Sequence, residues 1–380
     1  MNIRPNFVRD EEPIKAQDIA RFYEGILQSN RECAEMAYVR ARLAISYSLL
    51  GATGSAIELA QEVQAQLSEI GIEDSKFDDR VNAWEKTLQE EAVNALNSDM
   101  SAPTYQGWKP TRGHIFPSDL SLPQGHEDLL KWRSLSEHGS ENFRKLLIVN
   151  AIETNHIESI FLITLGSTQN LIRDGVDQGV IEAHDQSDIK ENGVIKSILE
   201  DTLLAYDIVN LVVKHQHDLT SDKISEIHSR VVATARFHGQ HYVPPGDTRT
   251  TTRHTVYVNT PTGRVKFCPY NLVDSELVVI CKLTKTLMVK MSNPFAVASW
   301  LHLVLAGCHP FDDGNGRVTR LVASIPLLLA GYPPICISLE QRSAYVQAIH
   351  DASNGNHAPL TQCIFEGMKG AIKMVEELKD

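Results

Sequence analysis

One short segment restricts what this chain can be more than any other: "HPFDDGNGRVTR", residues 309–320. Pro310 ends the apolar helical pattern "PFAVASWLHLVLAGC" before it, and a second helical pattern, "GRVTRLVASIPLLLAG", follows. The glycines let the main chain approach a ligand closely, and the free N–H groups at the helix start can hold an anion. Arg317 and Arg320 lie in the first turn and can both reach that anion. The segment predicts a phosphate-rich ligand.

The same segment carries a carboxylate and an imidazole. Asp313, beside the phosphate position, could hold Mg²⁺ through one carboxylate and phosphate oxygens. His309 is placed to take a proton from an attacking hydroxyl. Taken singly, Asp313 or Asn315 could be a helix cap and His309 an ordinary loop residue. Together, within twelve residues, they favour a nucleotide, a metal and a base acting in transfer onto a hydroxyl.

The segment resembles the Fic signature HxFx(D/E)GNGRxxR at every defined position, and the resemblance extends over residues 140–375. It implies an all-α Fic core and transfer of AMP from ATP to a protein hydroxyl. His309 is then the general base, Asp313 the Mg²⁺ ligand, and Phe311 the anchor of the loop in the core. The resemblance implies these nucleotide-binding residues: Gly314, Asn315, Gly316, Arg317, Arg320, Tyr345, Val258 and Asn259.

A Thr-, Val- and Tyr-rich stretch, residues 248–270, surrounds the turn "NTPTG" and predicts a β-hairpin on an otherwise helical chain. In Fic proteins such a hairpin is a flap that aligns the target by strand-like pairing, and residues 256–259 match its edge. Tyr345 matches a position near the adenosine. The family often has Tyr where this chain has Val346, and Asn where it has Ser353.

The motif "TNHIES", residues 154–159, resembles the inhibitory motif (S/T)xxxE(G/N) of the family, with Ser159 as the departure. A helix is expected near residues 142–160, with Thr154 and Glu158 on one face. The resemblance implies that Glu158 pairs with Arg320 and displaces the γ-phosphate. The residues alone leave open an ordinary solvated glutamate. In some relatives this glutamate orients water and reverses the modification.

The rest of the chain is expected to form two further regions. Residues 1–98 are helical, and Leu43, Tyr47, Gly51 and Ala56 match the packing positions of one tetratricopeptide repeat. A plain helical hairpin fits that pattern equally well. Prolines and glycines over residues 99–130 predict a linker or an extended surface segment, and residues 131–376 form the Fic domain.

Charge and cysteine usage limit the partners and the compartment. A net charge of −12 argues against general binding to nucleic acid or anionic membranes. Six cysteines without a CxxC pair fit a reducing compartment. The start of the chain lacks a signal-peptide pattern, and the most apolar stretch, residues 321–331, is too short to span a bilayer. We expect a cytoplasmic protein without nucleic-acid or membrane partners, and homodimer formation is left open.

These features together predict an autoinhibited protein adenylyltransferase with ATP as substrate and Mg²⁺ as cofactor. Its partner would be a protein target with a Ser, Thr or Tyr hydroxyl. A de-adenylylating hydrolase would use the same residues and remains an alternative. A nucleotide-binding interaction scaffold with little turnover is a second alternative, although a scaffold does not need His309.

Overall fold

The computed structural model describes residues 16–29, 36–101, 103–130, 141–215, 219–238, 241–260 and 263–378. The chain divides into two compact units. The first comprises Met1–Ala95 with Phe237–Tyr242, and the second comprises Leu96–Arg236 with Val243–Asp380. Among the described residues, no helix combines the length and apolar character needed to cross a membrane.

The first unit is built on helices, as its periodic apolar pattern predicts. They are α1 (Ala16–Ser29), α2 (Met36–Leu49), α3 (Thr53–Glu69) and α4 (Ser75–Ser101), the last of which continues beyond the unit's boundary. Gly51 turns the chain between α2 and α3 at a φ of 82°, which glycine adopts at low cost. Two short strands, β2 (Phe237–His238) and β3 (His241–Tyr242), pair antiparallel. Tetratricopeptide character stays a prediction.

The second unit is a helical domain around a buried central helix. Its helices are α5 (His126–Leu130), α6 (Glu141–His156), α7 (Leu165–Asp174), α8 (Asn192–Lys214), α9 (Ser221–Val231), α10 (Arg249–Thr252), α11 (Val273–Val289), α12 (Pro294–Cys308), α13 (Asn315–Ala323), α14 (Ile325–Leu329), α15 (Arg342–Ser353) and α16 (Ala358–Glu377). Asn293 starts α12 by accepting hydrogen bonds from the N–H groups of Phe295 and Ala296. Because α12 is apolar on nearly all sides, neighbouring helices pack around it. The expected all-α core is confirmed.

A small sheet stands at one side of this domain. Its strands are β1 (Thr104–Gln106), β4 (Tyr257–Thr260) and β5 (Gly263–Lys266), in the order β1-β5-β4. The hairpin strands β4 and β5 pair antiparallel, whereas β1 joins β5 in parallel. The hairpin is shorter than its Thr-rich sequence suggested, because residues 249–252 form a helical turn.

The segment that prolines and glycines marked as a linker packs against the second unit. The N–H of Arg264 donates to the carbonyl of Pro103 (2.8 Å), which holds β1 in the sheet. Trp108 packs against the core, and Leu129 is fully buried within it. Prolines and glycines describe only the local main chain, so they gave no sign of these distant partners.

Histidines whose pKa is lowered by burial, among them four outside the signature loop, should make the second unit sensitive to acid. Burial lowers the pKa of His228 and His302 to about 3, and of His156 and His357 to about 4. Unfolding returns each to about 6.5, so the unfolded chain binds more protons below that pH. Each histidine therefore removes roughly 1.4 kcal/mol of stability per pH unit as the pH falls from 6.5 towards its folded pKa. Glu153 acts in the opposite sense, because burial raises its pKa to about 7.

Urea unfolding at pH values between 7.5 and 5 will test this expectation. The His357→Asn variant, which replaces the ring that pairs with Ser299 (2.8 Å), serves as the comparison. As the pH is lowered below 6, the free energy of unfolding of this variant should decrease less than that of the parent, by about 1.4 kcal/mol for each pH unit. Parallel pH dependences in the two proteins would contradict the assignment of His357 as a neutral buried ring.

Candidate active site

The signature loop is shaped by backbone conformations that its sequence permits. His309 follows α12 with a left-handed φ of 48°, and Gly314 precedes α13 at 76°. A Cβ on Gly314 would lie 2.9 Å from a methyl carbon of Val232, so the loop needs glycine there. Phe311 is fully buried and stacks on the ring of His228 at 3.7 Å, anchoring the loop in the core as predicted.

A cavity of about 480 Å³ opens beside this loop. The residues predicted from the sequence that line it are Glu158, Val258, His309, Asn315, Gly316, Arg320 and Tyr345. The other predicted residues, Thr154, Asn259, Asp313, Gly314 and Arg317, lie outside its lining. The structure thus brings the proposed base, the start of α13 and one arginine to a single space.

His309 is placed in this cavity as a neutral ring. It stacks on Phe267 with the ring centroids 3.8 Å apart and an interplanar angle of 16°. Burial lowers the pKa of His309 to about 3, and the charge of Arg249 acts in the same direction. The ring is therefore unprotonated at neutral pH and has a nitrogen lone pair available to accept a proton.

Glu158 and Arg320 form a charge pair across the cavity. Nη2 of Arg320 lies 2.7 Å from Oε1 of Glu158, while Nε donates to Oγ1 of Thr154 (2.9 Å). The Arg320 side chain is 1% exposed, and that of Glu158 is 34% exposed. Burial would raise the pKa of Glu158, but the charge and hydrogen bond of Arg320 hold it below its ordinary value. The carboxylate is therefore ionised at neutral pH.

The inhibitory motif differs from the expected continuous helix face. Helix α6 ends at His156, so Glu158 lies on the turn that follows, and Thr154 and Glu158 meet through Arg320 instead. Ser159 has a left-handed φ of 57°, a conformation that favours glycine or asparagine. Glycine or asparagine would therefore fit this position with less strain than Ser159.

The Glu158 carboxylate covers the start of α13. A Cβ on Gly316 would overlap this carboxylate, so the absence of a side chain there lets the two groups meet. The turn is held from the other side, because Nε of Arg342 donates to the carbonyl of Ile157 (3.1 Å). A helix start attracts anions, so the carboxylate occupies the kind of position that a phosphate would take.

The side chains of Asn315 and Arg317 have different hydrogen-bond partners. Both polar atoms of the Asn315 amide pair with the main chain of Phe311, at 2.9 and 2.7 Å, and so brace the loop. Arg317 is buried and donates through Nη1 to the carbonyl of Val231 (3.2 Å). Its Nε has no hydrogen-bond partner within the described part of the chain. Because these two side chains are largely engaged with the main chain, the free N–H groups of the helix start are the groups best placed to bind a phosphate here.

Two adjacent aspartates point to different partners. Asp313 is exposed, and its Oδ1 accepts from the N–H of Gly314 (2.6 Å). Asp312 instead accepts from Oγ1 of Thr252 (2.8 Å) and pairs with Nδ1 of His254 (2.9 Å). Over the described ranges, no cluster of three or more His, Cys, Asp or Glu side chains could hold a metal. A single carboxylate fits Mg²⁺ shared with phosphates, because that ion is commonly held by one or two carboxylates and substrate oxygens.

Part of the cavity wall comes from residues that the sequence did not single out. The predicted linker contributes Tyr105, Gln106, Trp108 and Lys109. Tyr105 stacks on His350 of α15 with the centroids 4.6 Å apart. No local pattern could have identified these residues, because their partners lie more than 200 positions along the chain.

Two polar residues inside the cavity could have been found by helical spacing. His302 lies two turns before His309 on α12, and Thr319 immediately precedes Arg320 on α13. Nδ1 of His302 and Oγ1 of Thr319 are buried and lack hydrogen-bond partners among the described residues. His302 also pairs through Nε2 with the Tyr345 hydroxyl (2.5 Å), which links α12 to the predicted adenosine side.

Comparison with known proteins identifies relatives of this region. Residues 218–327 match the model of the Fic/DOC family. The chain is 27% identical over 213 residues to "Protein adenylyltransferase fic-1" of Caenorhabditis briggsae, covering 56% of this chain and 38% of that protein. It is 30% identical over 164 residues to "Protein adenylyltransferase Fic" of Drosophila persimilis, covering 42% of this chain and 29% of that protein. The chain thus spans well under half the length of these curated relatives.

A solved structure is similar in fold. It is a crystal structure of a Fic domain-containing signaling protein from Bacteroides thetaiotaomicron, with a TM-score of 0.51 and 20% sequence identity. The match covers 67% of this chain and 98% of that chain. At this level of identity the likeness shows a shared helical fold.

Proposed function

Because residues 218–327 belong to the Fic/DOC family, we propose that this chain is a protein adenylyltransferase that moves AMP from ATP to a hydroxyl group of a protein target. One observation carries the proposal: a neutral His309, the start of α13 and the buried Arg320 all face one cavity. An anion-binding helix start beside a base is what phosphoryl chemistry on a hydroxyl requires.

The residues divide the reaction between binding and proton transfer. The α13 start binds the ATP phosphates through main-chain N–H groups, and Arg320, with Arg317 behind it, neutralises their charge. His309 accepts the proton of the target hydroxyl as its oxygen bonds to the α-phosphorus. The bond from that phosphorus to the β-phosphate oxygen breaks, and pyrophosphate leaves with the electron pair. Asp313 would hold Mg²⁺, which would neutralise phosphate charge.

The free edge of β4 is the proposed place for the target. Strand β4 forms the outer edge of the sheet, and Val258 reaches the cavity from it. An extended target segment paired with this edge would present its hydroxyl towards His309. Tyr345, buried on α15, would lie at the adenosine side, while Asn259 at the exposed edge would contact the target or the nucleotide.

Glu158 is placed where it would inhibit AMP transfer in this state of the protein. Its carboxylate neutralises Arg320 and covers the α13 start, so the terminal phosphates of ATP would meet negative charge there. Thr154, bonded to the same guanidinium, keeps Arg320 in place. We therefore assign Glu158 and Thr154 a regulatory role.

The same carboxylate favours a second activity, removal of AMP from a modified target. A carboxylate in the cavity of His309 could orient a water molecule towards the α-phosphorus. Loss of AMP from a pre-modified target, measured by mass spectrometry, would reveal this hydrolase. The parent protein should be faster than the Glu158→Gly variant if Glu158 orients the water.

The proposal is tested with two labels on ATP. The Glu158→Gly protein is incubated with cell lysate and ATP labelled at the α- or the γ-phosphate. AMP transfer labels proteins from the α-label alone, whereas phosphate transfer uses the γ-label. Bands that exceed those of lysate without the protein identify candidate targets. The absence of any such excess with both labels, across several lysates, would reject transfer of either kind.

Asp313→Asn should remove the stimulation of transfer by Mg²⁺. The variant keeps the shape of the side chain but loses the negative oxygen that would hold the ion. In the Glu158→Gly background we expect labelling to fall about 100-fold, since a bound metal supplies several kcal/mol of charge stabilisation. Asp188→Asn, at an exposed carboxylate outside the cavity lining, is the matched control. A Mg²⁺ titration identical in the Asp313 and Asp188 variants would contradict the assignment.

A further inference from the structure

One fully buried cation beside the signature loop, Arg249, neither binds the nucleotide nor moves a proton in the proposed reaction. Arg249 opens the short helix α10 and is 1% exposed. Its guanidinium donates to main-chain carbonyl oxygens at three separate places in the chain. The acceptors and distances are His309 O (2.6 Å), Cys308 O (3.1 Å), Cys268 O (2.6 Å) and His254 O (3.0 Å).

These four bonds join the catalytic loop to both ends of the flap. Cys308 and His309 form the end of α12, while His254 and Cys268 lie before β4 and after β5. Two main-chain bonds strengthen the junction: the N–H of Arg249 donates to Pro310 O (2.7 Å), and that of Cys268 to Gly307 O (3.1 Å). A planar guanidinium with five donors can bridge several carbonyls, whereas an ammonium cannot reproduce that geometry.

We propose that Arg249 is a positioning residue, which holds the main chain of His309 in its left-handed conformation and fixes its distance from the flap that carries the target. This inference rests on the proposed transfer reaction. The base and the target edge belong to different segments, so their separation depends on whatever joins those segments. Arg249 provides that joint through bonds to both.

Two features of the site support this role. The left-handed conformation is costly for a residue other than glycine, so it persists only where surrounding bonds hold it. The two shortest of these hydrogen bonds, both 2.6 Å, go to the carbonyl oxygens of His309 and Cys268. In addition, the Arg249 charge helps to lower the pKa of His309 and so to keep the ring unprotonated.

The test compares kcat with nucleotide affinity in the Glu158→Gly background. Arg249→Lys keeps the positive charge but loses the planar guanidinium and its several donors. Arg249→Met removes both the charge and the donors. We expect kcat to fall about 100-fold in each, because displacing a reacting group by about 1 Å has an effect of that size. The Kd for ATP should change less than about threefold, because the α13 start and Arg320 are untouched. If Arg249→Met does not fold, Arg249→Lys alone decides.

A control separates positioning from general loss of stability. Leu171→Ala, at a fully buried residue of α7 outside the cavity lining, should lower Tm while kcat stays within about threefold. Unchanged kcat in a folded Arg249 variant would overturn the proposal and leave the transferase function intact. A matching fall in ATP affinity, or an equal fall in kcat for Leu171→Ala, would also overturn it.

A crystal structure of Arg249→Lys gives a readout that does not depend on activity. The left-handed conformation of His309 or its stack on Phe267 should be lost. Retention of both would reject the positioning role even if the Glu158→Gly parent proved inactive. That inactivity would count against the proposed transferase alone.

Discussion

Glu158→Gly is expected to raise labelling of a target by about 100-fold over the parent protein, a release of roughly 2.7 kcal/mol. The change removes the carboxylate that lies 2.7 Å from Arg320 and covers the α13 start. The guanidinium can then bind the terminal phosphates of ATP. A charge-assisted hydrogen bond from a buried arginine is of the right size to produce this inhibition. The measurement is the initial rate of AMP incorporation at saturating ATP.

Two comparisons separate release of the pair from loosening of the turn. Ser159→Gly places glycine at the neighbouring left-handed position and leaves the carboxylate intact, so it should not activate. Glu158→Gly combined with Arg320→Ala should return to low activity, because the freed arginine is what binds the phosphates. Activation by Ser159→Gly, or full activity of the double variant, would show that inhibition operates by another route.

The sequence predicts those parts of the site whose functional residues lie within one short segment of the chain. Residues 309–320 carry their own turn, helix start and charged groups, so the loop was predictable from twelve residues. A motif identifies Glu158, but it does not predict that this residue lies outside the helix, since helix α6 ends two residues before it. Helical spacing cannot report where hydrogen bonding stops, and the left-handed Ser159 marks that end.

The remaining parts depend on pairing between distant segments. Strand β1 joins β5 across some 160 positions, and this pairing carries Tyr105 and Trp108 to the cavity wall. Arg249 lies in a Thr-rich stretch that resembles a strand, yet its burial depends on carbonyls from residues 254, 268, 308 and 309. A single sequence contains no local signal for such contacts, so neither the packing of the predicted linker nor the short length of the hairpin follows from it.

His309→Ala should reduce transfer by about 1,000-fold, the middle of the range for loss of a general base. The Kd for ATP should stay within about threefold, because the base acts on the target hydroxyl while the α13 start and the arginines bind the nucleotide. Both quantities are measured in the Glu158→Gly background, by incorporation of labelled AMP and by calorimetry. Lost ATP affinity with transfer retained would reverse these roles.

The backbone of His309 offers a decisive control. At a φ of 48°, alanine introduces its own strain, and a loss of activity could come from a shifted loop. Asparagine and glycine tolerate this conformation, so His309→Asn and His309→Gly keep the loop in place without a ring nitrogen that can accept the proton. If proton transfer is what His309 supplies, all three variants should be equally inactive. Recovery of activity by Asn or Gly would instead mean that the residue serves the shape of the loop.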